Sequence, residues 1–430
     1  MISTRLITGR FFLLPGMLIL LVWACKPADT TSDKKIETAS TTEFLVQAED
    51  FYESSEGVSL SSDGQTITSL PDAVDWAAYE VEISQTGRYQ IEVQAVSTEG
   101  GEASFWLEDY IDNKDGRTYN ITGSLRLLSE GNQTVSVDGS PLSAGKHKIK
   151  LHKKGAGVEV DAIQFKLLRA HQETPEVLTQ NMEGEEWKLA WSDEFEGSGL
   201  PDTTKWTYDI GDWGWGNNEL QYYTVAKSKN ARQEDGNLII ESHKNDNGHA
   251  WSLARLTTRG KVAFKYGKIE FRAKVPPQRG NWAAGWTLGD TYRDEKSWPY
   301  CGEIDIMESV GYELNDETGE GKAHASVHCG AYYFKLGNQH TAQLPLENMV
   351  DEFHTYGVIW TPQKITAYVD DNPYLEYGDT KDSLTWPFDI PQNIILNLAM
   401  GGGWGGAQGM DENMTSQKLV IDYVRVYERQ

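Results

Sequence analysis

Apolar and polar residues alternate with a period of two through most of this 430-residue chain. Tyr79–Ile83 (YEVEI), Tyr89–Val93 (YQIEV) and His147–Leu151 (HKIKL) carry the pattern early. Leu238–Glu241, Lys268–Val275, Ile365–Val369, Ile394–Leu398 and Leu419–Val426 continue it as short strands. Successive side chains of a strand point to opposite faces, so a run that alternates has one face to bury and one to wet. No long segment repeats every 3.6 residues, and Gly87, Gly100-Gly101, Gly123, Gly145 and Gly155 punctuate the early runs as turns. The expected fold class is therefore all-β. Residues 44–168 read as a β-sandwich. Residues 169–186, polar and containing Pro175, read as a linker, and 187–430 as a larger β-jelly roll whose curved sheets make a cleft.

The first residues follow another pattern. Arg5 and Arg10 precede an apolar run, Phe11–Ala24, that is too short to span a bilayer comfortably. This is the layout of an export signal. Its end, Leu21-Val22-Trp23-Ala24-Cys25, resembles a bacterial lipoprotein signal. The resemblance implies that residues 1–25 are a signal with Cys25 lipidated. It implies an exported lipoprotein of the outer membrane or cell surface, held to the membrane by that lipid alone. Residues 26–43, rich in Thr, Ser, Lys and Asp, have little to bury and are expected to be a flexible tether.

Composition narrows the partners. With 64 acidic and 39 basic residues the formal net charge is −25, which argues against a nucleic-acid binder and against attraction to anionic lipid heads. Three cysteines exclude a disulfide scaffold and a multi-thiolate zinc site. Twelve of the fifteen tryptophans lie in residues 187–430, so the aromatic excess belongs to one domain.

The sharpest chemical feature is Cys301-Gly-Glu-Ile-Asp-Ile-Met-Glu308. In a regular strand Glu303 and Asp305 share a face, while Ile304 and Ile306 point the other way. Glu308 joins the acids only if one extra residue, a β-bulge near Ile306-Met307, shifts the phase. With that bulge the Cα atoms of Glu303 and Glu308 lie roughly 13 Å apart, and the side chains can converge to about 5–6 Å. A retaining glycosidase holds its two carboxylates at about that separation. An acidic outer face of a strand is the alternative. Three acids on one sheet face repel, however, and crowding raises at least one pKa, as a general acid requires.

Glu303-Ile-Asp-Ile-Met-Glu308 resembles the E-x-D-x-x-E signature of glycoside hydrolase family 16, in the bulged branch that includes laminarinases, agarases and porphyranases. Trp191–Phe195, Gly216–Tyr223, Ala254–Thr258, Trp298-Pro299 and Gly401–Trp404 extend the likeness to laminarinase, an endo-1,3-β-glucanase. The resemblance implies a β-jelly roll with an open cleft and no cofactor for catalysis. Glu303 would be the nucleophile and Glu308 the acid/base, with Asp305 between them holding Glu303 by a hydrogen bond. Substrate contacts would come from Trp282, Trp286, Trp298, Asn218, Arg255 and Trp404. Ala283 and Gly285 stand where the family usually has Pro and a bulky residue. Pairing of sequential strands would bring His328 beside the acid/base. The resemblance also implies a structural calcium ion on the convex side, held by the carbonyls of Glu194 and Gly236 and the carboxylate of Asp422. Cys301 and Cys329 are expected to point apart and remain free thiols.

In the first domain, Gln47–Phe51, Asp75–Tyr79, Gly145–His147 and Val160–Phe165 resemble carbohydrate-binding module family 6, with Trp76 and Tyr79 as a stacking platform or as core. The expected whole is a monomeric enzyme acting on laminarin-like β-glucan. The competing expectations are a same-branch enzyme for red-algal galactan or mixed-linkage β-glucan, and a glycan-binding lipoprotein without activity.

Overall fold

Alternation becomes burial along the early strands. In Gly87–Ser97, Ile91, Val93 and Ala95 are buried while Glu92, Gln94 and Val96 are half-covered. The computed structural model describes residues 42–69, 74–97, 104–110, 118–155, 157–315, 317–378 and 380–430. The expected signal, Cys25, almost all of the tether and the Gly100-Gly101 turn lie outside those residues. Among the described residues, two six-stranded antiparallel sheets form the N-terminal sandwich. Glu43–Gln47, Gly87–Ser97, Gly131–Leu142 and Val158–Ala170 build most of the first sheet. Val74–Ile83, Gly145–Lys154, Ser104–Tyr110 and Thr118–Asn120 build most of the second. Phe105, Leu107, Ile149 and Leu151 meet Ile91, Val93 and Phe165 between the sheets.

Among the described residues, the second domain is a larger pair of sheets of nine and ten strands. Gly267–Lys274, His354–Trp360 and Ser416–Arg429 run through the ten-stranded sheet. Asn281–Gly289 lies at the middle of the other, between Gln392–Met400 and Glu303–Val310, with Gly321–His328 beyond. Phe271, Tyr356 and Trp360 meet Ile304, Ile306, Leu396 and Leu398 in the shared core.

The bulge expected from the carboxylate spacing is present. Gly285 opposes Met307 and Trp286 opposes Asp305, so Ile306 is the extra residue. Ile304, Ile306 and Met307 are all buried in the core, two of them consecutive, which puts Glu308 back on the side of Glu303 and Asp305. The residues expected to be a linker are structured. Glu176–Thr179 pairs in parallel with Val262–Lys265 at the edge of the nine-stranded sheet. The apolar Val177-Leu178 pair explains the difference: Leu178 packs onto the core once the strand joins an open edge. Cys301 and Cys329 are free and buried, each in a different core cluster.

Gly285 has a steric reason to replace a bulky residue. A Cβ there would lie 2.2 Å from the Phe271 ring, so the large core side chain comes from the facing sheet instead. Gly285→Ala is expected to destabilise the fold by about 1–3 kcal/mol in chemical denaturation, because a packed core has no room to relax around an added methyl. A denaturation midpoint equal to that of the parent would contradict this account.

Candidate active site

Glu303, Asp305 and Glu308 line one cleft of about 640 Å³ with Trp282, Trp286, Trp298 and Trp404. Each glutamate accepts a hydrogen bond from a different indole. Trp298 Nε1 donates to Glu303 Oε2 at 2.9 Å, and Trp282 Nε1 donates to Glu308 Oε1 at 3.1 Å. His328 Nε2 lies 3.2 Å from Asp305 Oδ2 and 3.8 Å from Glu303 Oε1. The register explains that placement: His328 opposes Glu303, and His324 opposes Glu308. The expectation that His328 would stand beside Glu308 is therefore corrected. The next strand runs antiparallel, so its last residue, His328, meets the first acid of the motif; past the bulge the histidine opposite Glu308 is His324, held by Glu313 at 2.6 Å. Asp305 also differs from expectation. No hydrogen bond joins it to Glu303 among the described residues; parallel side chains two apart on one face act on each other through charge. Its Oδ2 is buried with the His328 imidazole 3.2 Å away as an ion-pair neighbour, and His328 Nδ1 is buried without a hydrogen bond to the protein.

The electrostatics follow from crowding. Burial, then the charge of Asp305, pushes Glu303 up to about 8, against the opposing pull of His328 and the Trp298 hydrogen bond. Burial raises Asp305, and burial plus the charge of Asp305 raises Glu308. Near neutral pH such a cluster retains protons that ordinary carboxylates would have lost. One group can then donate a proton while a neighbour stays anionic, which is the requirement for acid-assisted displacement.

The remaining expected contacts divide. Trp404 packs edge-on to Trp282 and His324, with ring centres 5.3 and 5.0 Å apart. Trp286 faces the cleft, and its Nε1 donates to Asn397 Oδ1 at 2.7 Å. Arg255 lines the cleft but is committed to an ion pair, its Nε 3.0 Å from Asp209 Oδ2. Trp298 is only 7% exposed and offers little face to the cleft, and its indole N–H is taken up by Glu303. Asn218 does not line the cleft. It is exposed with φ of 57°, and this left-handed residue turns Asn217 and Glu219 inward instead. Glu219, hydrogen-bonded by Asn217 and Gln221, is pushed up to about 7 by burial. The sequence reading also missed Trp213, Trp215 and Asn397. Asn397 carried a usable signal: an amide in the apolar run Ile394–Leu398 needs a partner.

The calcium donors come together only in part. Leu238 opposes Ile421 and Asp193 opposes Val424, so the three expected positions share neighbouring strands. Asp422, however, is partly exposed and paired with Arg272, while the Glu194 carboxylate is forked by Arg425 at 2.7 and 3.0 Å. A guanidinium already neutralises the one carboxylate of the set. Asp422 thus already has a cation beside it, and nothing in the chemistry below uses a calcium ion.

Removing the charge of Asp305 should lower the pKa of both glutamates, since that charge raises each of them. Asp305→Asn is expected to move their ionisation down by about half a pH unit or more in an infrared carboxylate titration. Unchanged or raised ionisation would refute the crowding account.

Comparison with known proteins places this geometry. Residues 218–425 match the family model described as Glycosyl hydrolases family 16. The beta-glucanase of Rhodothermus marinus is 46% identical over 250 residues, which is 56% of this chain and 85% of the relative. The crystal structure of the laminarinase from Rhodothermus marinus aligns with a TM-score of 0.52 at 44% identity, covering 56% of this chain and 98% of its own. A non-specific endo-beta-1,3(4)-glucanase, co-crystallised with 1,3-beta-D-cellotriosyl-glucose, aligns with a TM-score of 0.53 at 37% identity, covering 58% and 98%.

Proposed function

Since the chain belongs to glycosyl hydrolase family 16, we propose that it is an endo-1,3-β-glucanase that cuts laminarin-like polysaccharide with retention of configuration. The observation that carries the reading is the set of three carboxylates, Asp305 and Glu308 buried and Glu303 partly so, on one face of a bulged strand that lines a tryptophan-rich cleft. The names of the similar proteins support the β-glucan substrate. In the proposed double displacement, Glu303 attacks the anomeric carbon as the bond to the leaving oxygen breaks and Glu308 gives that oxygen its proton. A water then returns a proton to Glu308 and displaces Glu303, leaving the original configuration. Asp305 keeps the proton inventory high, and the two indole hydrogen bonds fix each glutamate's orientation.

The export reading belongs to the same proposal: lipidation at Cys25 would tether the enzyme at the bacterial surface, and it rests on the Phe11–Ala24 run and the residues around Cys25. A Cys25→Ser chain should appear in the soluble fraction of the periplasm or medium, and its retention in the membrane would argue against the lipid. The sugar-binding role of the N-terminal module rests on its sequence resemblance alone.

The test of the activity is product release from laminarin by the full chain beside Glu303→Gln. Short oligosaccharides should appear early, with kcat for the variant lower by on the order of 10³-fold or more. Release from mixed-linkage glucan or agarose but not from laminarin would replace the substrate assignment, and silence on all of them would remove the enzymatic reading.

A further inference from the structure

The N-terminal sandwich does not hang from the catalytic domain; it reaches into the walls of the cleft at two places. The first is Tyr119, on the short Thr118–Asn120 strand. It is 3% exposed and buried in a cluster with Leu288, Trp298, Cys301, Tyr333 and Ile395 of the catalytic domain. Its hydroxyl donates to the Trp298 carbonyl at 3.2 Å. Trp298 in turn donates to Glu303. One residue thus separates the module from the proposed nucleophile.

The second is Arg88, on Gly87–Ser97. Its Nη1 is anchored to the module's own Gly139 carbonyl at 3.2 Å. Its guanidinium lies 4.9 Å from the centre of the Trp215 ring, and its Nη2 lies 3.9 Å from Asp209. Arg255 shares both partners. It pairs with Asp209 and lies 4.7 Å from the ring centres of Trp215 and Trp286. A relay of cations, rings and one carboxylate therefore runs from the module to the cleft wall, where Trp215, Arg255 and Trp286 all face the cavity.

Further contacts lock the two domains together. Lys296 reaches Asp109 at 3.3 Å and His147 Nδ1 at 2.7 Å; Tyr222 donates to Asp138 at 2.7 Å; Arg169 donates to the Tyr208 carbonyl at 2.8 Å. The backbones also approach closely, since a Cβ on Gly211 would lie 2.5 Å from the Asp138 carbonyl oxygen. A module that merely carries an enzyme to a polymer needs a flexible tether and no such buried polar contacts.

We propose that the N-terminal module is a structural part of the active-site cleft, and that its Tyr119 and Arg88 are positioning residues, the first holding Trp298 against Glu303 and the second holding the Trp215–Arg255 wall. The inference rests on Glu303 and the cleft having the roles given above. It concerns orientation, so it predicts how kinetic constants divide and not simply a loss of stability. The two residues should differ. Tyr119→Phe keeps the ring and removes the hydroxyl, which loosens the Trp298 bond that favours the anionic Glu303. Arg88→Met keeps most of the side-chain volume and removes the charge from the relay.

The experiment uses the full chain with laminarioligosaccharides. Tyr119→Phe should lower kcat by about two- to tenfold with little change in KM, and should move the acid limb of the kcat profile to higher pH. Arg88→Met should raise KM by about two- to tenfold with a smaller change in kcat, and Arg88→Lys should restore part of that loss. Folded variants with the parent's kinetic constants and pH profile would overturn the inference while leaving the glucanase reading intact. A parent chain inactive on every glucan would overturn the reading instead. In that case a readout without turnover decides the docking claim. Alkylation of Cys301, mapped by mass spectrometry, should be slow in the native chain and at least about tenfold faster in Tyr119→Ala, because Tyr119 covers the cluster that buries this thiol. Equal alkylation rates would refute it.

Discussion

Three carboxylates drawn out of water onto one strand face, and repelling one another there, are the constraint around which this molecule is arranged. In water Glu303, Asp305 and Glu308 would be ordinary anions; here burial first, and for the two glutamates the charge of Asp305 second, makes them hold protons to higher pH. Everything near them answers that cost. The bulge at Ile306 brings the third acid onto the face while sending Ile306 and Met307 into the core. Two indole N–H groups and His328 stabilise what negative charge remains. The sign for stability is unfavourable. Carboxyl groups whose folded pKa lies above the unfolded value bind extra protons in the native state, so folding stability falls as pH rises from the ordinary carboxylate range to about 8. The large apolar core between the two sheets of the second domain offsets this loss.

The same logic explains why the cleft walls are so heavily cross-linked. Tryptophan supplies area for a sugar ring and one donor for a carboxylate, but an indole at a cleft edge is free to swing. Trp286 is held by Asn397, Trp282 by Glu308 and Trp404, and Trp298 by Glu303 and its neighbours. Arg255 is spent on Asp209 and on two rings, so its contribution to the cleft is a fixed shape and a fixed charge.

The placement of the three acids was unusually legible in sequence, because it is local. Six consecutive residues on one strand carry both glutamates, the aspartate between them and the bulge that aligns them, and period-two reasoning is enough to place them. What escaped depended on non-local geometry. His328 fell opposite Glu303 and not Glu308 because the register of the next strand is set by pairing across the sheet. Asn218 was displaced from the cleft by a left-handed backbone that composition does not reveal. The carboxylate of Asp422 met Arg272 from an adjacent strand, which no spacing along the chain announces. The polar stretch before the second domain looked like a linker because only Val177 and Leu178 favour a strand there, and its partner, Val262–Lys265, lies more than eighty residues away.

That short strand has a consequence for how the protein behaves in a crowded solution. The terminal strand of an open sheet exposes a row of unpaired amide and carbonyl groups to any other extended chain. Here two short strands, Glu176–Thr179 and Thr207–Asp209, are outermost along one such border of the nine-stranded sheet. The opposite border, His340–Leu346, contains Pro345, which has no amide hydrogen to offer. Among the described residues, the rims of the sheet that carries the acids thus offer only short or proline-interrupted templates for strand addition.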